Sequence, residues 1–303
     1  KKYYFLYTSL TFLYFMKIAI LGVGFLGEKL FEFFSKNCIV VCADINPRIN
    51  LINKLDATNK KEINTFLSLE NPDVVIDTIA LSSYFICEKN PKLCRKLNFE
   101  SAKYIAEACA KINAKMVFIS SSYIFDGKKG HYSETEIPNS INTYALSKID
   151  AEKKVLELVD SIVIRSEPMY GFDMIKKQIV FGTNTFELDV KIGFPNILRK
   201  PIYIDDFPPI ISCLIEKNKS GIFNVAGPTK LKWFDFVTDL SLLIDAQKKI
   251  KLVDSLDWIL NPPYDSSLDT SKIESLGVRT TSFKVALEKI KNKINLITNG
   301  ELN

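Results

Sequence analysis

A single histidine, His131, is all that 303 residues provide. A Ser-His-Asp triad or a multi-histidine metal centre therefore has almost nothing to be built from. His131 stands in a polar, glycine-containing loop and reads as a surface residue. The six cysteines, Cys38, Cys42, Cys87, Cys94, Cys109 and Cys213, show no Cys-x-x-Cys pairing, and several fall within apolar strand or helix patterns. They read as the reduced, packed thiols of a cytoplasmic protein. An arginine-rich or aromatic-interleaved stripe is also missing. The net charge of +5 comes from scattered lysines, which argues for solubility and against a nucleic-acid partner. The aromatic stretch Lys1 to Phe15 is too short to span a bilayer, carries no small-residue cleavage pattern and stops just before Met16-Lys17-Ile18. It reads as an upstream extension from a misassigned start, with a membrane-associating tail as the lesser alternative. What is present suits an enzyme: at 47% hydrophobic the chain can bury a full core, as one large domain or a domain with a lobe.

The first half reads as a nucleotide-binding domain. Lys17-Ile18-Ala19-Ile20-Leu21 is an apolar run fit for a buried parallel strand, followed by Gly22-Val23-Gly24-Phe25-Leu26-Gly27 and a helical pattern from Glu28 to Lys36. In a strand, glycine turn and helix the glycines have separate tasks. Gly22 permits the tight turn, Gly24 lets backbone approach a pyrophosphate, and Gly27 permits close packing of helix on strand. The helix N-terminus then offers amides to the phosphates. A second apolar strand, Cys38 to Ala43, ends in Asp44, about 20 residues past the first glycine, where the dinucleotide fingerprint expects an acid for the ribose hydroxyls. A carboxylate there disfavours a 2′-phosphate, so NAD(H) is favoured over NADP(H), with Arg48 near enough to soften the preference. Asp44 also fits a plain turn residue before Pro47.

The alternation continues. Helices are predicted over 59–69, 91–112 with Pro91 in the first turn, and 142–159; strands are predicted over 73–80, 116–120 and 161–165. Alternating strands and helices imply right-handed crossovers and an α/β fold with a doubly wound parallel sheet, its ligands at the carboxyl ends of the strands. The expected division is an extension over 1–15, a Rossmann domain over 16–166, a smaller C-terminal substrate-binding lobe over 167–292 with 201–226 returning to the Rossmann part, and a tail over 293–303.

The chemistry gathers between Ser120 and Lys148. In Tyr144-Ala145-Leu146-Ser147-Lys148 a phenol and an ammonium four residues apart share one helical face, and a cation beside a phenol favours the phenolate. Tyr144 is thus a proton donor in waiting. A serine at the end of the preceding strand, in Ser120-Ser121, can hold a substrate oxygen and stabilise developing negative charge. Alone, Tyr-x-x-x-Lys also fits a surface tyrosine on an amphipathic helix; the nucleotide-binding half upstream gives it weight.

The motifs, in order, resemble the extended short-chain dehydrogenase/reductases and, within them, the dTDP-4-dehydrorhamnose reductase family. The similarity runs from Met16 to about Lys291. Ser120-Ser121-Ser122-Tyr123-Ile124-Phe125-Asp126-Gly127 resembles the family's Ser-Thr-Asp-Tyr-Val-Phe-Asp-Gly. Tyr132-Ser133-Glu134 and Pro138 to Lys148 are similar to its Tyr-x-Glu loop and Pro-x-Asn-x-Tyr-Gly-x-Ser-Lys. Pro201 to Phe207, Gly221 to Gly227 and Leu268-Asp269-Thr270-Ser271-Lys272 resemble three later segments. The resemblance implies that Ser121 takes the place of the catalytic Thr, that Tyr144 is the general acid, and that Lys148 binds the nicotinamide ribose and lowers the tyrosine's pKa. It further implies Asp56 near the adenine, Ala80 in the cofactor channel, Asn98 as a bridge of helix and sheet, and Arg165 before the substrate lobe or in a structural ion pair.

Departures from the pattern fall where specificity is expected. The fingerprint is Gly-x-Gly-x-x-Gly rather than Gly-x-x-Gly-x-x-Gly, and Ser122 replaces an Asp. Glu167-Pro168-Met169-Tyr170-Gly171, Leu81 to Ile86 and Asn261-Pro262-Pro263 differ as well. The resemblance implies a metal-free, NAD- or NADP-dependent reduction of the C4 ketone of a nucleotide-linked 6-deoxy sugar, first of all dTDP-4-dehydrorhamnose. An NAD-dependent epimerase or dehydratase and a non-catalytic NAD(P)-binding regulatory subunit stay open, as does assembly, a homodimer included. Partners other than the nucleotide sugar, nucleic acid or membrane among them, are not expected.

Overall fold

Strand β1 (Lys17–Leu21) forms where the sequence offers an apolar run, and all but its first residue are buried. It sits between two neighbours: β2 (Ile39–Asp44) pairs with it in parallel, Ile18 opposite Val40, and β4 (Val74–Asp77) pairs on the other side, Ile18 opposite Val74. The computed structural model describes residues 16–157, 160–173, 178–181, 184–185, 191–193, 196–243, 251–253 and 263–301. The extension over 1–15, Val159 and Asn261-Pro262 therefore lie outside the described residues.

The chain divides into two compact units. The first takes in the described residues up to Ser120, Ile141–Arg165 and Phe207–Phe223. Its frame is a seven-stranded sheet in the order β13-β6-β5-β4-β1-β2-β3, with β3 Ile52–Lys54, β5 Lys115–Ser121, β6 Ser161–Ser166 and β13 Gly221–Val225. The order reverses between β1 and β4, where ligands of doubly wound sheets bind beyond the strand ends. The loops after both strands, Gly22 to Gly24 and Thr78 to Ala80, thus open at that reversal. On one face Ala19, Val75, Met116, Phe118 and Val163 pack with Leu67, Ile105, Cys109 and Val155 in a continuous apolar core. Those last four come from helices α2 (Lys60–Glu70), α5 (Ser101–Ile112) and α6 (Thr143–Leu156). Helix α2 starts on Asn59, whose side chain accepts from the Lys61 and Glu62 amides, and stops at Asn71 in the left-handed region.

The helix expected over 91–112 forms without interruption but carries a π turn within it, and a separate short helix precedes it. Tyr84–Lys89 forms α3 and Pro91–Arg95 forms α4. One π-helical turn follows at Lys96–Glu100, in which the Ser101 amide donates to the Lys96 carbonyl, and then α5. A π turn inserts one residue without disturbing the apolar spacing on either side, which is why the periodicity conceals it.

In the second unit β7 (Met169–Asp173) pairs in parallel with β12 (Ile202–Tyr203) and antiparallel with β8 (Gln178–Phe181), which pairs with β9 (Asn184–Thr185). Its core is aromatic: Tyr170 meets Phe236 edge to face at 5.1 Å between centroids, and Phe283 at 5.6 Å. The last helix, α10 once α7 (Phe207–Glu216), α8 (Trp233–Ser241) and α9 (Ser271–Glu274) are counted, spans Phe283–Thr298. It runs through residue 292 and packs Ile290, Ile294 and Ile297 against this core.

Candidate active site

The glycine turn has the shape a dinucleotide needs. Gly22 holds φ +90, and a Cβ on it would sit 3.0 Å from Ile79 and Thr78 side-chain atoms. A Cβ on Gly27 would lie 2.1 Å from the Gly22 carbonyl oxygen, so the helix approaches its own turn as closely as glycine alone permits. Gly24 is the N-cap of α1 (Phe25–Phe34) and supplies no side-chain cap, while a Cβ there would meet nothing. Open space beside uncapped helix amides fits a pyrophosphate. Phe25 is half-buried and Leu26 buried in that first turn.

Asp44 ends β2 with both carboxylate oxygens engaged: Oδ2 accepts from the Val23 amide at 2.7 Å and Oδ1 from the Asn46 amide at 2.9 Å. It is therefore both the turn residue and the residue that ties the glycine turn to β2. Arg48 pairs with Glu28 at 2.7 Å. Asp56 accepts from the Thr58 amide and hydroxyl, and the hydroxyl holds its carboxyl below the usual range. Ala80 is exposed just past β4.

Helix α6 presents the phenol and the ammonium. Asn142 caps it by accepting from the Ala145 amide at 2.7 Å, and Glu88 accepts from the Thr143 amide and hydroxyl at 2.7 and 2.9 Å. Tyr144 thus lies in a fixed first turn, 7% exposed. Lys148, one turn on, is buried; its Nζ donates to the Ile119 carbonyl at 2.9 Å and lies 4.5 Å from the centre of the Phe118 ring. Burial pushes this ammonium down to about 8, opposed first by Asp77 and then by Glu152. Ser121, at the end of β5, is half-buried and its Oγ accepts from the Tyr123 amide at 3.2 Å. Among the sequence-predicted residues, Tyr144 and Lys148 share one face of α6, while the glycine turn and Asp44 share the end of β1 and β2.

Asn98 sits in the π turn and holds the helices together. Its Oδ1 accepts from the Leu81 amide at 2.7 Å, and its Nδ2 donates to the Leu81 carbonyl and to Ser147 Oγ, each at 3.1 Å. The loop after β4 is thereby fastened to the helix that carries Tyr144. Asn98→Ala leaves the Leu81 amide and Ser147 short of a partner and is expected to cost about 1–3 kcal/mol in denaturant unfolding; an unchanged midpoint would refute that bridge.

Several of the resembling motifs prove to be joints. Tyr132 stacks on Phe125 at 4.2 Å and donates from its hydroxyl to Asp126 at 2.8 Å. Asn224 Nδ2 donates to the Tyr132 carbonyl at 2.8 Å and the Asp269 carbonyl at 3.0 Å, and its amide donates to Glu134 at 3.0 Å. Three motifs far apart in sequence thus meet in one hydrogen-bonded node. Ser122, where the family pattern has Asp, is fully buried and receives a hydrogen bond from Ser266. Arg165 forms the structural ion pair: NH2 lies 2.9 Å from Glu152 Oε2, with both side chains under 5% exposed.

Sequence reasoning passed over two residues beside Lys148, Asp77 and Glu152. Asp77 had a signal: it is the carboxylate that closes an otherwise apolar Val74-Val75-Ile76 run. Among the described residues no group of His, Cys, Asp and Glu could hold a metal ion, and no helix is long and apolar enough to cross a membrane.

The chain is similar to several known proteins. A dTDP-4-dehydrorhamnose reductase of Aggregatibacter actinomycetemcomitans is 27% identical over 258 residues, covering 78% of this chain and 87% of that protein. Methionine adenosyltransferase 2 subunit beta of Xenopus laevis is 26% identical over 290 residues, covering 88% of this chain and 84% of that one. A solved structure described as a hypothetical dTDP-4-dehydrorhamnose reductase from Sulfolobus tokodaii matches with a TM-score of 0.75 at 29% identity, covering 89% of this chain and 98% of that one. The family model described as the RmlD substrate binding domain matches residues 16–296, nearly the whole of what the structure describes. With that span, and with the fold and the Tyr144–Lys148 helix in place, the chain belongs to the RmlD substrate binding domain family.

Proposed function

We propose that this chain, an NAD(P)-dependent oxidoreductase of that family, reduces the C4 ketone of a nucleotide-linked 6-deoxy sugar, with dTDP-4-dehydrorhamnose as the first candidate. One observation carries the reading: Tyr144 stands in the first turn of α6 and a buried ammonium, Lys148, follows one turn later on the same face. Such a pair is built to give a proton to an oxygen and to support the charge left behind.

The nicotinamide supplies a hydride equivalent to the carbonyl carbon when it is bound. The residues that would hold the cofactor are the glycine turn with Phe25 and Leu26, Asp44, Asp56 and Ala80, together with Tyr144 and Lys148. In this reading Ser121 holds the substrate oxygen, Tyr144 protonates it, and Lys148 binds the ribose and favours the phenolate. Asp44 supports NADH over NADPH, because its carboxylate would face a 2′-phosphate and Arg48 is engaged with Glu28.

The test is to mix the purified protein with dTDP-4-dehydrorhamnose and each reduced nicotinamide. Loss of the reduced-cofactor absorbance, faster with NADH, is expected. Copurified NAD together with interconversion of UDP-sugars would replace this reading with an epimerase. Tight cofactor binding without turnover of any nucleotide sugar would favour a non-catalytic regulatory role.

A further inference from the structure

Behind Lys148 lies a second charged group that neither the motif nor the family resemblance assigns. Asp77 is the last residue of β4, 1% exposed, in the middle of the seven-stranded sheet. The strand register places it opposite Leu21 on one side and Phe118 on the other. Phe118 is the residue whose ring lies against Lys148 Nζ, and the next residue, Ile119, supplies the carbonyl that accepts from that nitrogen. The carboxylate thus ends β4, and the ammonium, reaching in from α6, lies against the adjacent strand β5 at the same level of the sheet. Asp77 Oδ1 accepts from the Ile79 amide at 3.0 Å, while Oδ2 is buried with no hydrogen-bond partner among the described residues. A buried carboxylate oxygen without a partner is costly unless a nearby charge offsets it.

We propose that Asp77 is a positioning residue whose buried carboxylate serves as the counter-charge of Lys148, keeping that side chain an ammonium inside the sheet and so setting the alkaline limit of proton donation by Tyr144. The link to Tyr144 rests on the reductase reading; the pairing of Asp77 with Lys148 does not. The groups around the pair bear this out. Lys148 is faced by Asp77 from β4, by Glu152 from its own helix, and by Cys94 and Cys87 from α4 and α3. Glu152 is already committed to Arg165, and the two thiols are bound up with each other and with Ser147 and Asn98. Asp77 is faced by Lys148 and by Cys109 of α5. Among these, Asp77 is the uncommitted anion and has the largest charge effect on the ammonium. Burial raises its carboxyl to about 6 and lowers Lys148 to about 8, so both are charged in the interval between. Titrations this close belong to the pair as much as to either member.

The experiment follows both titrations by NMR in the full-length protein labelled with 15N-lysine and with 13C at the aspartate carboxyls, without substrate. Asp77→Asn keeps an acceptor for the Ile79 amide and removes the charge. The Lys148 midpoint, assigned by its disappearance in Lys148→Met, should fall by about one unit or more, the usual effect of losing an opposite charge at close range. The reciprocal is required: in Lys148→Met the Asp77 midpoint should rise. If Asp77→Asn does not fold, Lys148→Met carries the test alone. Midpoints that stay where they are in the folded variants overturn the proposal. Where turnover is measured, the alkaline limb of kcat/KM should move down with the Lys148 midpoint, a shift that a purely structural Asp77 would not produce. Shifted midpoints in a protein that turns over no nucleotide sugar would sink the reductase reading and leave the coupling of Asp77 to Lys148 standing.

Discussion

Tyr144→Phe is expected to lower kcat for keto-sugar reduction by about a hundred- to ten-thousand-fold, the range that a positioned general acid contributes. The substitution removes one oxygen and keeps the ring, so the packing of a residue that is 7% exposed is retained. Thermal unfolding should therefore change little while turnover collapses. Cofactor affinity, read by nicotinamide fluorescence, should fall far less than turnover, since Lys148 and the glycine turn are untouched. In the wild type the rate should decline above about pH 8. Lys148 is protonated below its displaced pKa and loses its charge above it, and with that charge goes the stabilisation of the phenolate. A variant that reduces substrate at the wild-type rate would remove Tyr144 from the chemistry altogether.

Breaking the ion pair behind the helix should have the largest effect on stability. Glu152→Ala takes its carboxylate away from Arg165, a cation that is 2% exposed, at an expected cost of up to about 3–5 kcal/mol in denaturant unfolding. The pair is close to bidentate: Nε lies 3.2 Å from each carboxylate oxygen, and NH2 lies 2.9 Å from one of them. It joins α6 to β6, so its loss loosens the element that carries Tyr144 and Lys148. The double variant Glu152→Leu with Arg165→Met should regain most of the loss, because an apolar pair of similar volume carries no desolvation cost. A single variant as stable as the wild type would show that the Glu152 carboxylate contributes nothing to holding Arg165 in place.

Much of the first unit was legible because its signals are local. Val74-Val75-Ile76 and Ile18-Ala19-Ile20 are apolar runs of strand length, and each is followed by the turn or helix that the alternation requires. The glycine turn was legible for the same reason: a left-handed φ at Gly22 and a 2.1 Å approach at Gly27 are demands that no other residue meets. The π turn within the helix that starts at Pro91 was not legible, since it preserves the apolar spacing on both sides of it. Asn98 was singled out as a bridge, but its partners, Leu81 and Ser147, belong to a loop and a helix remote in sequence.

The sequence by itself determined the doubly wound sheet, the glycine turn, the acid at the end of β2 and the spacing of Tyr144 and Lys148, because each depends on neighbours a few residues apart. Only the tertiary structure decided what surrounds the ammonium. Asp77 closes β4 and Glu152 lies a turn beyond Lys148, and whether either is a surface charge or a buried counter-ion depends on which strands and helices cover it. Burial is a property of the assembled sheet. It turns an ordinary lysine into one whose charge depends on the carboxylate beside it.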